Sequence, residues 1–502
     1  MLYHSTRGKG LQMSSMEVIK QGIAPDGGLF IPYKIPKLSM AEFREMEKMG
    51  YVERAVRILS LFLTDYSAND LENCVHAAYN KDKFAASEIA PVVKLNENIY
   101  ILELWHGPTC AFKDMALQLL PHLLVTALKR TGEDSGVIIL VATSGDTGKA
   151  ALEGFKDVPG THVVVFYPNE GVSSVQQIQM VTQEGSNVDV IAVEGNFDSA
   201  QSGVKAIFAD EQLEQKIRRK GYSLSSANSI NWGRLIPQVV YYVSAWLEML
   251  KTGEITEDQP INVVVPTGNF GNILAAYYAK KMGVPIHRLI CASNSNNVLT
   301  DFINTGVYNR NRKFYKTASP SMDILISSNM ERLLFDLADG DCERVRLLME
   351  DLRLKGQYTI DDDSLKRLKS EFWGGYADDP QTLQAIRSTY DAYGYLLDPH
   401  TAVGMHVYNQ YRKHTGDDHK TILASTASPF KFADDVLKAV LGPDAVEDMD
   451  DITLLDILSR TTNKPIPPAL AGLKDKEIRH KTVCKQSEMK DVLTNLFYLN
   501  EV

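Results

Sequence analysis

Val137-Ile-Ile-Leu-Val-Ala142 runs directly into Thr143-Ser-Gly-Asp-Thr-Gly148. An apolar run of strand length, then a glycine-bearing turn, then a helical pattern predicts a strand–turn–helix unit. The pattern recurs along the chain. Strands are expected at Val163–Tyr167 and Val188–Val193, with helices starting near Thr147, Ser173 and Phe197. Upstream, Ile99-Tyr-Ile-Leu-Glu-Leu104 predicts a strand. Asp114 to Arg130 then predicts a helix, apolar at Leu117, Leu120, Leu124 and Leu128. Downstream, strands are expected at Ile261–Val265, His287–Ala292 and Thr421–Thr426, and helices at Asn228–Leu250, Asn272–Met282 and Ala433–Leu441. This alternation predicts an α/β protein with parallel sheets and crossover helices.

Outside the repeat, Ala24-Pro-Asp-Gly-Gly28 is a turn signal, and Met40 to Ala90 is helical in pattern. The expected division is an N-terminal domain over 1–95, a small α/β domain over 136–224, and a large α/β domain from 96–135 and 225–502. The large domain carries a polar, mostly helical insertion at 294–380. The tail, 444–502, is mixed, with a helix near 450–460, a Pro-containing loop at 465–468 and a strand or helix at its end.

The chain has 502 residues, 44% hydrophobic and 23% charged, ordinary values for a globular protein with two or three domains. Its net charge of −10 argues against nucleic acid or an anionic membrane as the main partner, and an anionic substrate would need a local basic pocket. Five cysteines, none at metal-ligand spacing, point to a reducing compartment. The N-terminus lacks a signal-peptide pattern and no apolar run reaches membrane-spanning length, so a cytoplasmic location is expected.

Three segments carry candidate chemistry. Trp105-His-Gly-Pro-Thr-Cys-Ala-Phe-Lys113-Asp114 places a lysine at the start of a helix behind a stiff, partly apolar stretch. Lys113 is either an inward-facing reactive amine or a solvated lysine followed by a favourable first-turn acid. The Thr143–Gly148 turn offers backbone amides and the hydroxyls of Thr143, Ser144 and Thr147 to a carboxylate or phosphate; the alternative is an ordinary turn capped by Asp146 or Thr147. It is not a phosphate-binding loop of nucleotide enzymes, because Gly145 and Gly148 are too close and Ala150 follows Lys149. Pro266-Thr-Gly-Asn-Phe-Gly-Asn272 permits positive φ and close backbone approach at Gly268 and Gly271, or is a plain turn. Ser425-Thr426 ends a strand, where a hydroxyl could bond a pyridine nitrogen or cap the next turn. His106, His400 and His406 show no metal-binding arrangement, and no metal is expected. A lysine with anion-cradling loops at strand ends meets the needs of pyridoxal 5'-phosphate: an amine, a phosphate nest and a ring contact.

Together and in this order, the segments resemble threonine synthase. Tyr3-His-Ser-Thr-Arg-Gly8, Ala24-Pro-Asp-Gly-Gly-Leu-Phe-Ile-Pro32, Glu103-Leu-Trp-His-Gly-Pro-Thr109, Ser226-Ala-Asn-Ser-Ile-Asn231 and Asp398-Pro-His-Thr-Ala-Val403 look like blocks of that family. They span residues 3 to about 440. The resemblance implies fold type II of the pyridoxal phosphate enzymes: two parallel-sheet α/β domains, plus here an N-terminal domain, with the cofactor between the α/β domains. It implies a Schiff base on Lys113, cofactor phosphate held by Gly268, Asn269, Phe270, Gly271 and Asn272, and the pyridine nitrogen contacted by Thr426. Asp146 falls where related enzymes place an Asn beside the ring hydroxyl. Thr143, Ser144 and Thr147 would receive the substrate α-carboxylate, while Arg234 and Lys149 are candidates for the substrate phosphate.

The implied reaction turns O-phospho-L-homoserine and water into L-threonine and phosphate. A phospho-lyase on the same scaffold, releasing 2-oxobutyrate, and a non-catalytic metabolite-binding protein are the rivals. The expected partner is the small-molecule substrate, and the expected assembly a monomer or homodimer. One departure stands out: the family's Thr-Ala-His-Pro segment is Thr426-Ala-Ser428-Pro429 here.

Overall fold

The computed structural model describes every residue except Asp134, Ser144, Gly171, Asp448 and Val502, and every side chain except theirs and those of Leu11, Asp198, Ala445 and Glu501. Two parallel sheets organise the chain. The larger runs, edge to edge, through Phe372–Tyr376, Ile286–Ser293, Ile261–Pro266, Thr421–Ser425, Ile99–Glu103 and Val92–Lys94. Only Val92–Lys94 is antiparallel to its neighbour. The central strands Ile261–Pro266 and Thr421–Ser425 are buried at every position, as expected of parallel strands covered on both faces. The smaller sheet orders Thr482–Cys484, Val188–Val193, Thr161–Pro168, Gly136–Ala142 and Tyr222–Ser225, all parallel.

Residues 3–32 form a three-stranded antiparallel sheet, and Met40–Glu47, Tyr51–Phe62 and Ala68–Ala78 are amphipathic helices over one hydrophobic core shared with the larger sheet. Arg7 clamps this unit to the insertion with two parallel bonds to the buried Glu331 carboxylate, at 2.9 and 2.8 Å.

Three expectations are corrected. The helix foreseen over 114–130 is two helices, Asp114–Leu117 and Leu120–Arg130, because Pro121 supplies no N–H to continue the first. The insertion at 294–380 is not only helical: Phe372–Tyr376 forms an edge strand of the larger sheet, and Val307–Asn309 pairs with Gln357–Thr359. The tail does not stay with the larger sheet. Thr482–Cys484 pairs with Val188–Val193, and Met489 and Leu493 join the apolar cluster on one face of the smaller sheet, Met489 lying against Gly203 of the Phe197–Phe208 helix that covers it. Among the described residues, no helix is long and apolar enough to cross a membrane.

Candidate active site

The C-terminal ends of the strands meet at one place, where ligands bind in open α/β sheets. The Ile99–Glu103 strand leads into the 105–113 segment, and the Thr421–Ser425 strand leads into Thr426. The two exits are zipped together. Phe112 donates its N–H to Thr426 O at 2.8 Å, Ser428 to Cys110 O at 3.0 Å, and Ala111 bridges Ala427. Lys113 is thereby fixed at the mouth of the Asp114–Leu117 helix, its side chain 11% exposed. The solvated alternative for Lys113 is therefore excluded.

Lys113 Nζ lies 3.3 Å from Asp146 Oδ2 and 3.2 Å from Ser321 Oγ, and 5.1 Å from the centre of the Phe112 ring. Burial pushes its pKa down; Asp146 opposes this, and Lys431 adds to it. Asp146 opens the Asp146–Phe155 helix and carries four contacts. Its Oδ1 accepts from Lys431 Nζ at 2.5 Å and Gln176 Nε2 at 2.8 Å, and its Oδ2 from Lys113 and, at 3.2 Å, Ser321 Oγ. Burial alone would raise its pKa, but Lys431 first, with Lys113 behind it, outweighs that and holds it well below the usual carboxylate range.

The Thr267–Asn272 loop precedes the Gly271–Met282 helix. Phe270 has φ 64°, a left-handed conformation that turns successive amides toward one point. Among the described residues, no protein group accepts the N–H of Gly268, Asn269 or Phe270. A Cβ on Gly268 would sit 2.6 Å from Ser321 O, so only glycine allows the insertion to close on this loop. Asn272 accepts the Tyr241 and Tyr242 hydroxyls through Oδ1, while its buried Nδ2 has no acceptor among the described residues. Unused donors in a helix-opening nest fit a phosphate group. Thr426 is buried, and its hydroxyl has no partner among the described residues.

The remaining candidates fall in different places. Thr143 Oγ1 accepts the amides of Gly145 and Gly148, both at 3.0 Å, and so shapes its own loop. Thr147 is half-buried in the first turn of the following helix. Ser144 lies outside the described residues. Lys149 is turned to Glu153, at 3.0 Å, and to Gln183, so its charge is already paired. Arg234 is buried in the first turn of the Trp232–Lys251 helix. Its Nη1 bonds Ala227 O, and burial lowers its pKa to about 10; among the described residues its Nε has no partner and no carboxylate offsets the charge. A cation without an acid at the positive end of a helix calls for an anion.

Lys431, Ser321 and Gln176 were not foreseen. Lys431 follows Thr426 by five residues, so proximity in sequence was the available signal. Ser321 lies in the insertion, where no periodicity marks it. His400 is buried and bonds Asp398 Oδ1 at 2.9 Å through Nδ1, while its Nε2 accepts the Ser321 N–H at 3.1 Å. Because that amide can only donate, Nδ1 carries the imidazole proton. Ser428, in the place of the family's histidine, caps the short turn that carries Lys431, accepting the Phe430 N–H at 3.3 Å.

Three family descriptions match the chain in order: threonine synthase N terminus over residues 2–79, pyridoxal-phosphate dependent enzyme over 86–426, and threonine synthase C-terminal over 401–493. Human threonine synthase-like 1 is 44% identical over 434 residues, covering 84% of this chain and 58% of that protein. The chain thus spans under two thirds of the length of these relatives. Threonine synthase of Pseudomonas aeruginosa is 39% identical, covering 88% of this chain and 91% of its own length. The crystal structure of pyridoxal phosphate-bound threonine synthase from Brucella melitensis superposes with a TM-score of 0.88 at 37% identity, covering 100% of both chains.

Proposed function

This chain belongs to the threonine synthase family of pyridoxal phosphate-dependent enzymes, and we propose that it converts O-phospho-L-homoserine and water into L-threonine and phosphate. The observation that carries this reading is Arg234: a buried guanidinium at a helix N-terminus whose Nε has no partner and which meets no carboxylate among the described residues. Bound at this site, pyridoxal phosphate supplies an electron sink for negative charge developing at the substrate Cα.

The chain's own groups would do the rest. Lys113 provides the primary amine that holds the cofactor, and on release that amine is the base for the Cα proton. Its burial favours the neutral form this needs. The amides of Gly268 to Asn272 and Asn272 Nδ2 would take the cofactor phosphate. Thr426 would offer its hydroxyl to the pyridine nitrogen, a contact that does not force that nitrogen to stay protonated. The Thr143–Thr147 turn, including Ser144, would seat the α-carboxylate, with Thr143 holding the loop in shape. Arg234, rather than the already paired Lys149, would bind the leaving phosphate.

A phospho-lyase outcome has one observation in its favour. Ser428 replaces the family's histidine and spends its hydroxyl on a turn, so it offers no imidazole to guide water. Product accounting separates the two. With cofactor and O-phospho-L-homoserine, threonine equal to phosphate is expected; 2-oxobutyrate in its place would replace this reading with the lyase.

A further inference from the structure

We propose that Lys431 is a positioning residue which, by taking up the charge of Asp146, keeps the Lys113 amine neutral and reactive. The inference rests on the reading of Lys113 as the cofactor-bearing amine and assigns a role to a second lysine.

One buried carboxylate faces two buried amines. Lys431 Nζ approaches Asp146 Oδ1 at 2.5 Å and donates also to Thr109 O at 3.0 Å, with its side chain fully buried. Lys113 Nζ stands off at 3.3 Å from Oδ2, and its other neighbour is the Ser321 hydroxyl. Two ammonium groups and one carboxylate leave a net positive charge in a dry site, which is costly. The pair that stays ionised is the one with the shorter contact and the extra carbonyl acceptor, Lys431 with Asp146. Lys113 then remains an amine.

The surrounding charges agree. Arg234 adds positive charge near Lys113, and Asp114, the next residue, spends its carboxyl on Thr109 N and Oγ1, both at 2.8 Å. His400 hydrogen-bonds the Ser321 amide and Asp398 and packs edge-on against Phe432. The lowered pKa of Lys113, caused first by burial and then shaped by Asp146 and Lys431, points the same way. Gln176 and Ser321 fix the carboxylate so that its two oxygens face the two lysines. The Asp146–Lys431 pair thus sits beside Lys113 as a neutral unit.

The test reads Lys113 directly. The full-length protein, freed of cofactor, is labelled with an N-hydroxysuccinimide ester from about pH 6 to pH 10, and modification of the Lys113 peptide is followed by mass spectrometry. In Lys431→Met, Asp146 has only Lys113 to pair with. The labelling midpoint should then rise by about one pH unit or more, roughly a tenfold loss of reactive amine at neutral pH. Lys431→Arg should restore the wild-type midpoint. A Lys431→Met midpoint equal to wild type would overturn the proposal, even if turnover fell. Should Lys431→Met not fold, Asp146→Asn serves: a midpoint at or below wild type is expected, and a raised one would overturn the proposal. These midpoints do not depend on which products the enzyme forms, so failure of the proposed reaction and failure of this inference remain distinct.

Discussion

Behind Lys113, Asp114 is fully buried, and burial raises its pKa to about 7 against the efforts of Thr109 and Lys431. Its carboxyl therefore binds a proton more tightly folded than unfolded. That contribution to stability is complete below about pH 4 and is lost as pH rises through about 7. Relative to Asp114→Asn, the wild-type protein should lose unfolding free energy across this range in denaturant titrations; parallel profiles would show that Asp114 is not the group responsible. Arg234→Gln should lower kcat/KM for O-phospho-L-homoserine by on the order of a hundredfold, the cost of truncating one partner of a buried charge pair, with less effect on cofactor uptake. An unchanged kcat/KM would remove Arg234 from the substrate phosphate. At this scale local sequence leaves Lys113 open between a reactive amine and a solvated lysine, and Thr426 between a ring contact and a turn cap; only the resemblance, resting on several blocks in order, singles them out. Lys431 and Lys149 show the boundary. Both are lysines beside a site loop, and only the fold decides that one faces Asp146 while the other turns to Glu153.

Among the elements, the loop after Ile261–Pro266 depends on close backbone approach. Gly268→Ala would drive a methyl to 2.6 Å from Ser321 O, a backbone atom with little room to yield. Overpacking of this kind costs about 1–3 kcal/mol. The expected result is weaker pyridoxal phosphate binding, measured by equilibrium dialysis, with the loop and the Pro320–Met322 turn forced apart. Unaltered binding would place the cofactor phosphate elsewhere. The loop is braced from behind as well: Arg332 donates to Phe30 O at 2.9 Å and Asn329 Oδ1 at 2.5 Å, and Asn329 donates to Asn269 O at 3.1 Å. Strand–turn–helix units were legible because apolar runs and glycine turns are local signals. The insertion was not: its edge strand contains Gly374 and Gly375, and the turn holding Ser321 is fixed by His400, 79 residues away.

At the scale of the whole molecule, the chain returns to the smaller sheet at its end. Thr482–Cys484 covers the edge of Val188–Val193, and Met489 and Leu493 extend the apolar cluster on its face, Met489 packing on the Phe197–Phe208 helix. Truncation after residue 480 should therefore expose a strand edge and apolar surface, lowering the thermal midpoint and causing association detectable by light scattering. A truncated chain as stable and monodisperse as the full one would show that the smaller sheet stands without its tail. Short strands completed by distant segments have too little periodicity to be assigned from sequence, so the end of the tail reads equally as strand or helix. Both sheets and the insertion converge on one buried lysine pair, and the proposed chemistry requires Lys113 to carry the cofactor. The direct measurement is borohydride reduction of the pyridoxal phosphate-loaded protein, followed by digestion and mass mapping of the pyridoxyl group. The label is expected on Lys113 alone; a label on Lys431, or on neither, would overturn the assignment of Lys113.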